Sequence, residues 1–210
     1  MKFLSRYTDL PSLFHILQEK KLTLLAPSNW EDKNDTEFLL NYKKAYELKS
    51  ILALCLTSAP ETYHHWKSFA SSPSGVRINF KYQELHNCVQ KFPNAQMKEV
   101  SYISLNKKEN FPLQKKDLPF IKRLPYRHEQ EIRLLWESKN EERECISIPV
   151  DLLAIEKIML SPWLPSALHA PVIKAIKSID GCQNLTVNPS NILRTESWLV
   201  HGQSALNPSS

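Results

Sequence analysis

Residues 126 to 136 read YRHEQEIRLLW, with Glu129, Glu131 and Arg133 at every second position. As a strand, this spacing puts Glu129, Glu131, Arg133 and Leu135 on one face and Gln130, Ile132, Leu134 and Trp136 on the other. The second face is mostly core. On the first, neighbouring carboxylates raise one another's pKa while Arg133 opposes the rise. Two readings follow. One is an exposed strand face with an internal ion pair, which contributes little. In the other, one glutamate stays ionised in a cleft to bind a ribose hydroxyl or stabilise a cationic transition state, and its neighbour orients the attacking group. Arg133 would then hold a phosphate or fix a glutamate.

Three other stretches carry polar or aromatic groups suited to a site. In SRYTDL, Arg6, Tyr7 and Thr8 stand where a first strand hands over to a helix, a place where free N–H groups hold anions. The plainer alternative is a capping threonine beside a packing tyrosine. In WKSFASSPSG, Trp66 and Phe69 are either an aromatic wall of a site or an ordinary core pair three residues apart on a helix. NWEDKND offers Asp32, Asn34 and Asp35 but lacks the glycine and terminal glutamate of a calcium loop, so it reads as turn chemistry and helix capping.

Several chemistries are excluded or disfavoured. Three glycines in 210 residues, Gly75, Gly181 and Gly202, are too dispersed for a glycine-rich phosphate loop. Cys55, Cys88, Cys145 and Cys182 are widely separated and read as buried free thiols; no metal is expected. His64 and His65 are adjacent, point different ways, and read as partly exposed surface residues.

The elements that must position these residues are legible in part. KFLSRYT is a strand leading into a helix with Leu10, Leu13, Phe14 and Leu17 as its apolar stripe, capped by Thr8 or Asp9. KLTLL is a short strand, and a helix is expected from about Thr36 to Leu48. SILALCLTS is continuously apolar, as in a strand buried on both faces at the centre of a sheet. A short helix, a Ser/Pro/Gly turn and a strand over Val76 to Phe80 come next, then a helix in YQELHNCVQKF and one alternating strand in MKEVSYISL. Residues 104 to 119 read as a surface loop with room for a helical turn. Beyond YRHEQEIRLLW lie a strand CISIPV, a helix from about Ser166 to Ser178, and a last strand in NLTVNPSNIL. Helices and strands do not alternate regularly, so the expectation is one α+β domain over residues 1–195, with a mixed, mostly antiparallel sheet flanked by helices. Residues 196–210 form a tail expected to fray.

A hydrophobic content of 42% supports a real core. No apolar run approaches the roughly 20 residues needed to cross a bilayer, and no signal peptide is apparent, so a cytoplasmic chain without membrane partners is expected. The net charge of +5 and the lysines and arginines grouped in residues 106 to 127 permit a polyanionic partner without requiring one.

In their order these pieces resemble the uncharacterised prokaryotic domain-of-unknown-function family 2971. The resemblance rests on Tyr7-Thr8, PSLFHIL, LTLLAPSNWEDKNDTEF and Cys55-Leu56-Thr57-Ser58. It continues through Trp66 to Phe80, Val100-x-Tyr102, and Lys122, Tyr126, Glu129, Glu131 and Arg133. It departs at Phe69, where tyrosine is usual, at Thr36, Tyr126 and Ser161. A more distant likeness to ADP-ribosyltransferase-like proteins follows the same order. It implies a split sheet that clamps NAD and a role as a toxin or phage-defence factor acting on a nucleic acid or protein. By that likeness Arg6 or Thr8, together with Tyr7, faces the phosphates or ribose, and Trp66 or Phe69 stacks on nicotinamide. Glu131 or Glu129 binds the ribose and stabilises the oxocarbenium ion, with Arg133 beside them. The opposing reading is a non-catalytic module that binds nucleic acid or protein.

Overall fold

The computed structural model describes residues 3–104, 106 and 113–206. In chain order the elements are β1 (Phe3–Asp9), α1 (Leu10–Glu19), β2 (Lys21–Leu25), α2 (Lys33–Ala45), β3 (Ser50–Thr57), α3 (Tyr63–Phe69), β4 (Gly75–Lys81), α4 (Tyr82–Gln90), β5 (Ala95–Glu99), β6 (Ser101–Ile103), β7 (Ile121–Arg123), β8 (Glu131–Ser138), β9 (Cys145–Pro149), β10 (Ile155–Leu160), α5 (His169–Lys177), β11 (Thr186–Pro189) and α6 (Glu196–Leu206). Among the described residues, nine strands make a mixed, mostly antiparallel sheet flanked by helices, the α+β class expected; β6 and β7 pair separately.

The course of β3 decides where a site can form. β8 runs along the whole of β3, from Ser50 opposite Ser138 to Thr57 opposite Glu131, and so fills one edge. The other edge is shared. β1 meets it only where Ser5 faces Thr57, and β2 only where Leu25 faces Ala53. β1 continues instead along β4, in register from Phe3–Lys81 to Asp9–Gly75, while β2 pairs with β9. The sheet is therefore split beside Leu54, Cys55 and Leu56.

Strand alternation sorts β3 and β8 into two faces. Leu52, Leu54 and Leu56 with Ile132, Leu134 and Trp136 join the main core, which includes Leu13 and Leu17 of α1 and Ile78 and Phe80 of β4. On the other face, Ile51, Ala53 and Leu135 enter a smaller core with Leu39, Tyr42 and Phe120 under α2. Further along this second face the apolar residues give way to Cys55, Thr57, Glu131 and Arg133. Gly75 joins α3 to β4 at close quarters: a Cβ there would lie 2.4 Å from the Ala70 carbonyl oxygen, so no other residue fits without a backbone shift.

Several boundaries differ from those expected. α2 begins at Lys33 because Asp32 caps it, accepting from the N–H groups of Asn34 and Asp35. Of the two capping candidates for α1, Thr8 and Asp9, the cap is Asp9, as one of the expected alternatives had it. The MKEVSYISL segment is two strands: β5 pairs with β8, Val100 donates its N–H to the Glu131 carbonyl, and β6 turns away to β7. In the 104–119 stretch, Lys115–Phe120 is a 3-10 turn, and Lys107 and Lys108 of the basic group lie outside the described residues. The tail carries α6, whose Trp198 and Leu206 are exposed, and residues 207–210 lie outside the described ones. Cys182 is buried, Cys55 and Cys88 are half-buried, and Cys145 is exposed, so the expectation of buried thiols fails at Cys145. No described helix is long and apolar enough to cross a membrane.

Candidate functional site

The strand reading of residues 129 to 136 needs correction at its start. Glu129 ends a 3-10 turn over Leu124–Glu129, and Gln130, with φ of 42°, reverses the chain into the left-handed region before β8 begins at Glu131. Glu129 reaches the same place as Glu131 through this turn and not through strand alternation. Its carbonyl is pinned, accepting from the Thr57 hydroxyl, with His65 Nε2 3.4 Å away. The Glu131 N–H donates to the Tyr102 hydroxyl at 2.8 Å, which fixes where β8 starts.

The exposed-face alternative is overturned as well. Glu131 is 2% exposed and Arg133 is fully buried. Arg133 Nε donates to Glu131 Oε1 at 2.7 Å, and its Nη2 to Glu131 Oε2 at 3.1 Å. The other side of the guanidinium grips Asp35 of α2, Nη1 to Oδ1 at 2.9 Å and Nη2 to Oδ2 at 2.7 Å, and Nη1 also donates to the Pro119 carbonyl at 2.7 Å. Trp30 covers it, its ring centre 4.9 Å from the guanidinium carbon. Lys122 of β7 completes the cluster, with Nζ 2.8 Å from Glu131 Oε2, 2.7 Å from Glu129 Oε2 and 3.5 Å from Asp35 Oδ2. Three carboxylates thus share two cations in a nearly dry setting.

That environment separates the two glutamates. Burial alone would raise the Glu131 carboxyl, but Arg133 and then Lys122 outweigh it and bring its pKa down to about 2. Glu129 moves the other way: burial raises it, and Lys122 only partly offsets the rise. Lys122 is itself held protonated, because Glu131, Glu129 and Asp35 outweigh its desolvation. Since the folded pKa of Glu131 lies below its unfolded value near 4.5, its contribution to stability is complete above that pH and is lost as pH falls toward 2. Urea midpoints measured between pH 6 and 2.5 should show unfolding coupled to the uptake of up to about one proton by this residue. Glu131→Gln should remove that part of the slope; an unchanged slope would rule out the ion pairs as its source.

These groups open onto a cleft of about 570 Å³ in the split of the sheet, within the range of small-molecule sites. β1 contributes Arg6 and Tyr7, β3 contributes Cys55 and Thr57, and Glu129, Glu131 and Lys122 close the acidic end; Trp30, Asp32 and Phe69 also line it. Arg6 Nε is buried without a partner among the described residues. The Tyr7 hydroxyl, near the Thr62 backbone, likewise makes no hydrogen bond of normal geometry, and burial pushes its pKa up to about 12, so it is a donor at neutral pH. Buried donors left without protein acceptors are uncommon, and in a cleft they suit a ligand's oxygens.

The remaining expected site residues divide. Phe69 reaches the cleft and is 49% exposed. Trp66 does not: it is fully buried, donates through Nε1 to Glu61 at 2.7 Å, and supports Tyr7 edge-on at 5.1 Å between ring centres. Thr8 pairs with Val76 in the sheet and is not part of the cleft lining. His65, expected at the surface, is 4% exposed, hydrogen-bonds the Thr62 hydroxyl and stacks on Tyr7 at 5.6 Å. Asp35, assigned to capping chemistry by sequence, and Lys122, noted there only within a motif, are the partners that the alternation could not supply. Their places in the quoted pattern, Asn34-Asp35 and Lys122, were the one signal in the sequence that could have found them.

No family model matches the chain, and no curated protein matches it. Among solved structures it is similar to Thermus sp. 2.9 DarT in complex with NAD+, at 12% identity and a TM-score of 0.45 over 90% of this chain and 95% of that one. It is similar also to Thermus sp. 2.9 DarT in complex with ADP-ribosylated ssDNA, at 11% identity and a TM-score of 0.47 over 90% and 94% of the two chains.

Proposed function

We propose that the cleft binds NAD and that the protein transfers its ADP-ribose to a nucleic acid or protein, with Glu131 as the electrostatic centre. The observation that carries this reading is the pairing of an ionised, immobilised carboxylate with unpartnered buried donors across one cleft. Arg6 and the Tyr7 hydroxyl supply donors for pyrophosphate or ribose oxygens. Phe69, and not the buried Trp66, offers its ring to nicotinamide. Glu131 faces the ribose, where its fixed negative charge stabilises the oxocarbenium ion as the bond from C1′ to the nicotinamide nitrogen breaks. Glu129, whose raised pKa makes it the better proton acceptor, takes the proton of the acceptor group as that group bonds to C1′. Arg133 does not meet the ligand in this reading; it fixes the orientation of Glu131.

A second reading, a nucleic-acid-binding module without catalysis, is favoured by one observation. Tyr63 and Phe69 are exposed, and Tyr63 meets Trp163 at 6.2 Å with Lys67 4.8 Å from the Trp163 ring. Aromatic rings beside a cation can stack unpaired bases. Calorimetry with NAD, followed by nicotinamide release with and without single-stranded DNA, RNA or cell protein, separates the two. Saturable NAD binding with nicotinamide release is expected. Single-strand binding with neither of these would favour the second reading and end the first.

A further inference from the structure

A second and larger concavity, about 810 Å³, shares no lining residue with the cleft. It lies between the end of α4, the turn after β9 and the loop from Gly181 to Leu185. Phe92, Val150, Leu152, Ile155 and Leu185 give it apolar walls, and Leu153, also in its lining, is 72% exposed. Such a surface is costly to leave in water and marks a binding region.

The rim is cationic. Lys20, Lys81 and Lys91 stand around the opening against one lining carboxylate, Asp151, which is engaged in accepting the Leu153 N–H at 2.9 Å. Among the described residues Lys20 and Lys81 have only long, exposed partners, Asp180 at 3.5 Å and Glu156 at 3.8 Å, so their charge is weakly engaged. Lys91, directly after α4, has no ion-pair partner among the described residues. A bare anion would gain nothing from the apolar walls, and a cationic amphiphile would meet three ammonium groups. We propose that this cavity binds a small apolar anion, an aliphatic carboxylate whose chain enters the cavity while its head remains among the lysines. The site is independent of the NAD reading.

Calorimetry with decanoate is expected to give one saturable site. Affinity should rise about fourfold per methylene from octanoate to decanoate. Lys91→Glu should weaken decanoate binding by about tenfold and, because it places an anion at the C-terminus of α4, lower the unfolding temperature only slightly. Bound decanoate should slow alkylation of Cys88, which lines the cavity, but not of the exposed Cys145, as read by peptide mass spectrometry. Glu131→Gln should leave the affinity as it was. Decyltrimethylammonium binding as tightly as decanoate, affinity indifferent to Lys91→Glu, or Cys88 left unprotected would each overturn the proposal.

Discussion

On the proposed NAD-dependent function, Glu131→Gln is expected to reduce NAD cleavage by at least about 10²- to 10³-fold, the range found when one preorganised electrostatic group is removed from a transition state. NAD affinity should fall far less. The amide keeps the shape of the side chain, but it cannot supply the charge that stabilises positive charge developing at C1′. Glu131 is suited to this role because Arg133 holds both its oxygens and Lys122 one of them, so little reorganisation is needed as the bond breaks. The substitution also leaves Arg133 and Lys122 with less compensation, so some loss of stability should accompany it. Rates must therefore be compared well below the variant's unfolding temperature, with kcat separated from KM. Glu129→Gln distinguishes the two carboxylates: transfer to an acceptor should drop while NAD hydrolysis by water is reduced less. Equal losses of both activities would remove the separation of roles, and wild-type turnover in Glu131→Gln would remove the mechanism.

Arg133→Met should cost about 3–5 kcal/mol, the usual consequence of removing one partner from a buried ion pair. The total stability of a domain is about 5–15 kcal/mol, so the loss would be a large share of it. The guanidinium makes five hydrogen bonds, two to Glu131, two to Asp35 and one to the Pro119 carbonyl. Without it, Asp35 and Glu131 face each other with Lys122 as their remaining close cation. Arg133→Lys retains the charge but cannot grip both carboxylates through a planar fork, and should lie between wild type and Arg133→Met. Adding Asp35→Leu to Arg133→Met should recover part of the loss, because one stranded carboxylate is then gone. Urea denaturation of the three variants reads these differences. A loss below about 1 kcal/mol for Arg133→Met would mean that water enters the cluster and screens it.

The fold was more legible than the site. The continuous apolar run from Ser50 to Thr57 marked a central strand because both its faces had to be covered. The alternation of Ile132, Leu134 and Trp136 marked a core face because side chains on a strand repeat every two residues. Thr8 or Asp9 marked the start of α1, and NWEDKND marked capping chemistry before α2, because such side-chain oxygens can accept from the free N–H groups of a first turn. All of these are local consequences of backbone geometry.

The site depended on contacts that no local pattern contains. Arg133 and Asp35 are 98 positions apart, and Lys122 comes to Glu131 from another sheet. A charged residue in a strand looks the same in sequence whether it meets water or a buried partner; its surroundings decide, because desolvation is costly unless an opposite charge repays it. Glu129 shows the same limit from the other side. Its two-residue spacing from Glu131 suggested a common strand face, yet the left-handed turn at Gln130 and the pinned Glu129 carbonyl bring it to Lys122 by another route. The sequence by itself determined the α+β class, the central strand and the side of β8 that carries Glu131 and Arg133. Only the tertiary structure decided that this side is buried, that Trp66 supports the cleft from behind, and that the sheet splits beside Cys55, because each of these depends on which distant segments share the edges and faces of β3.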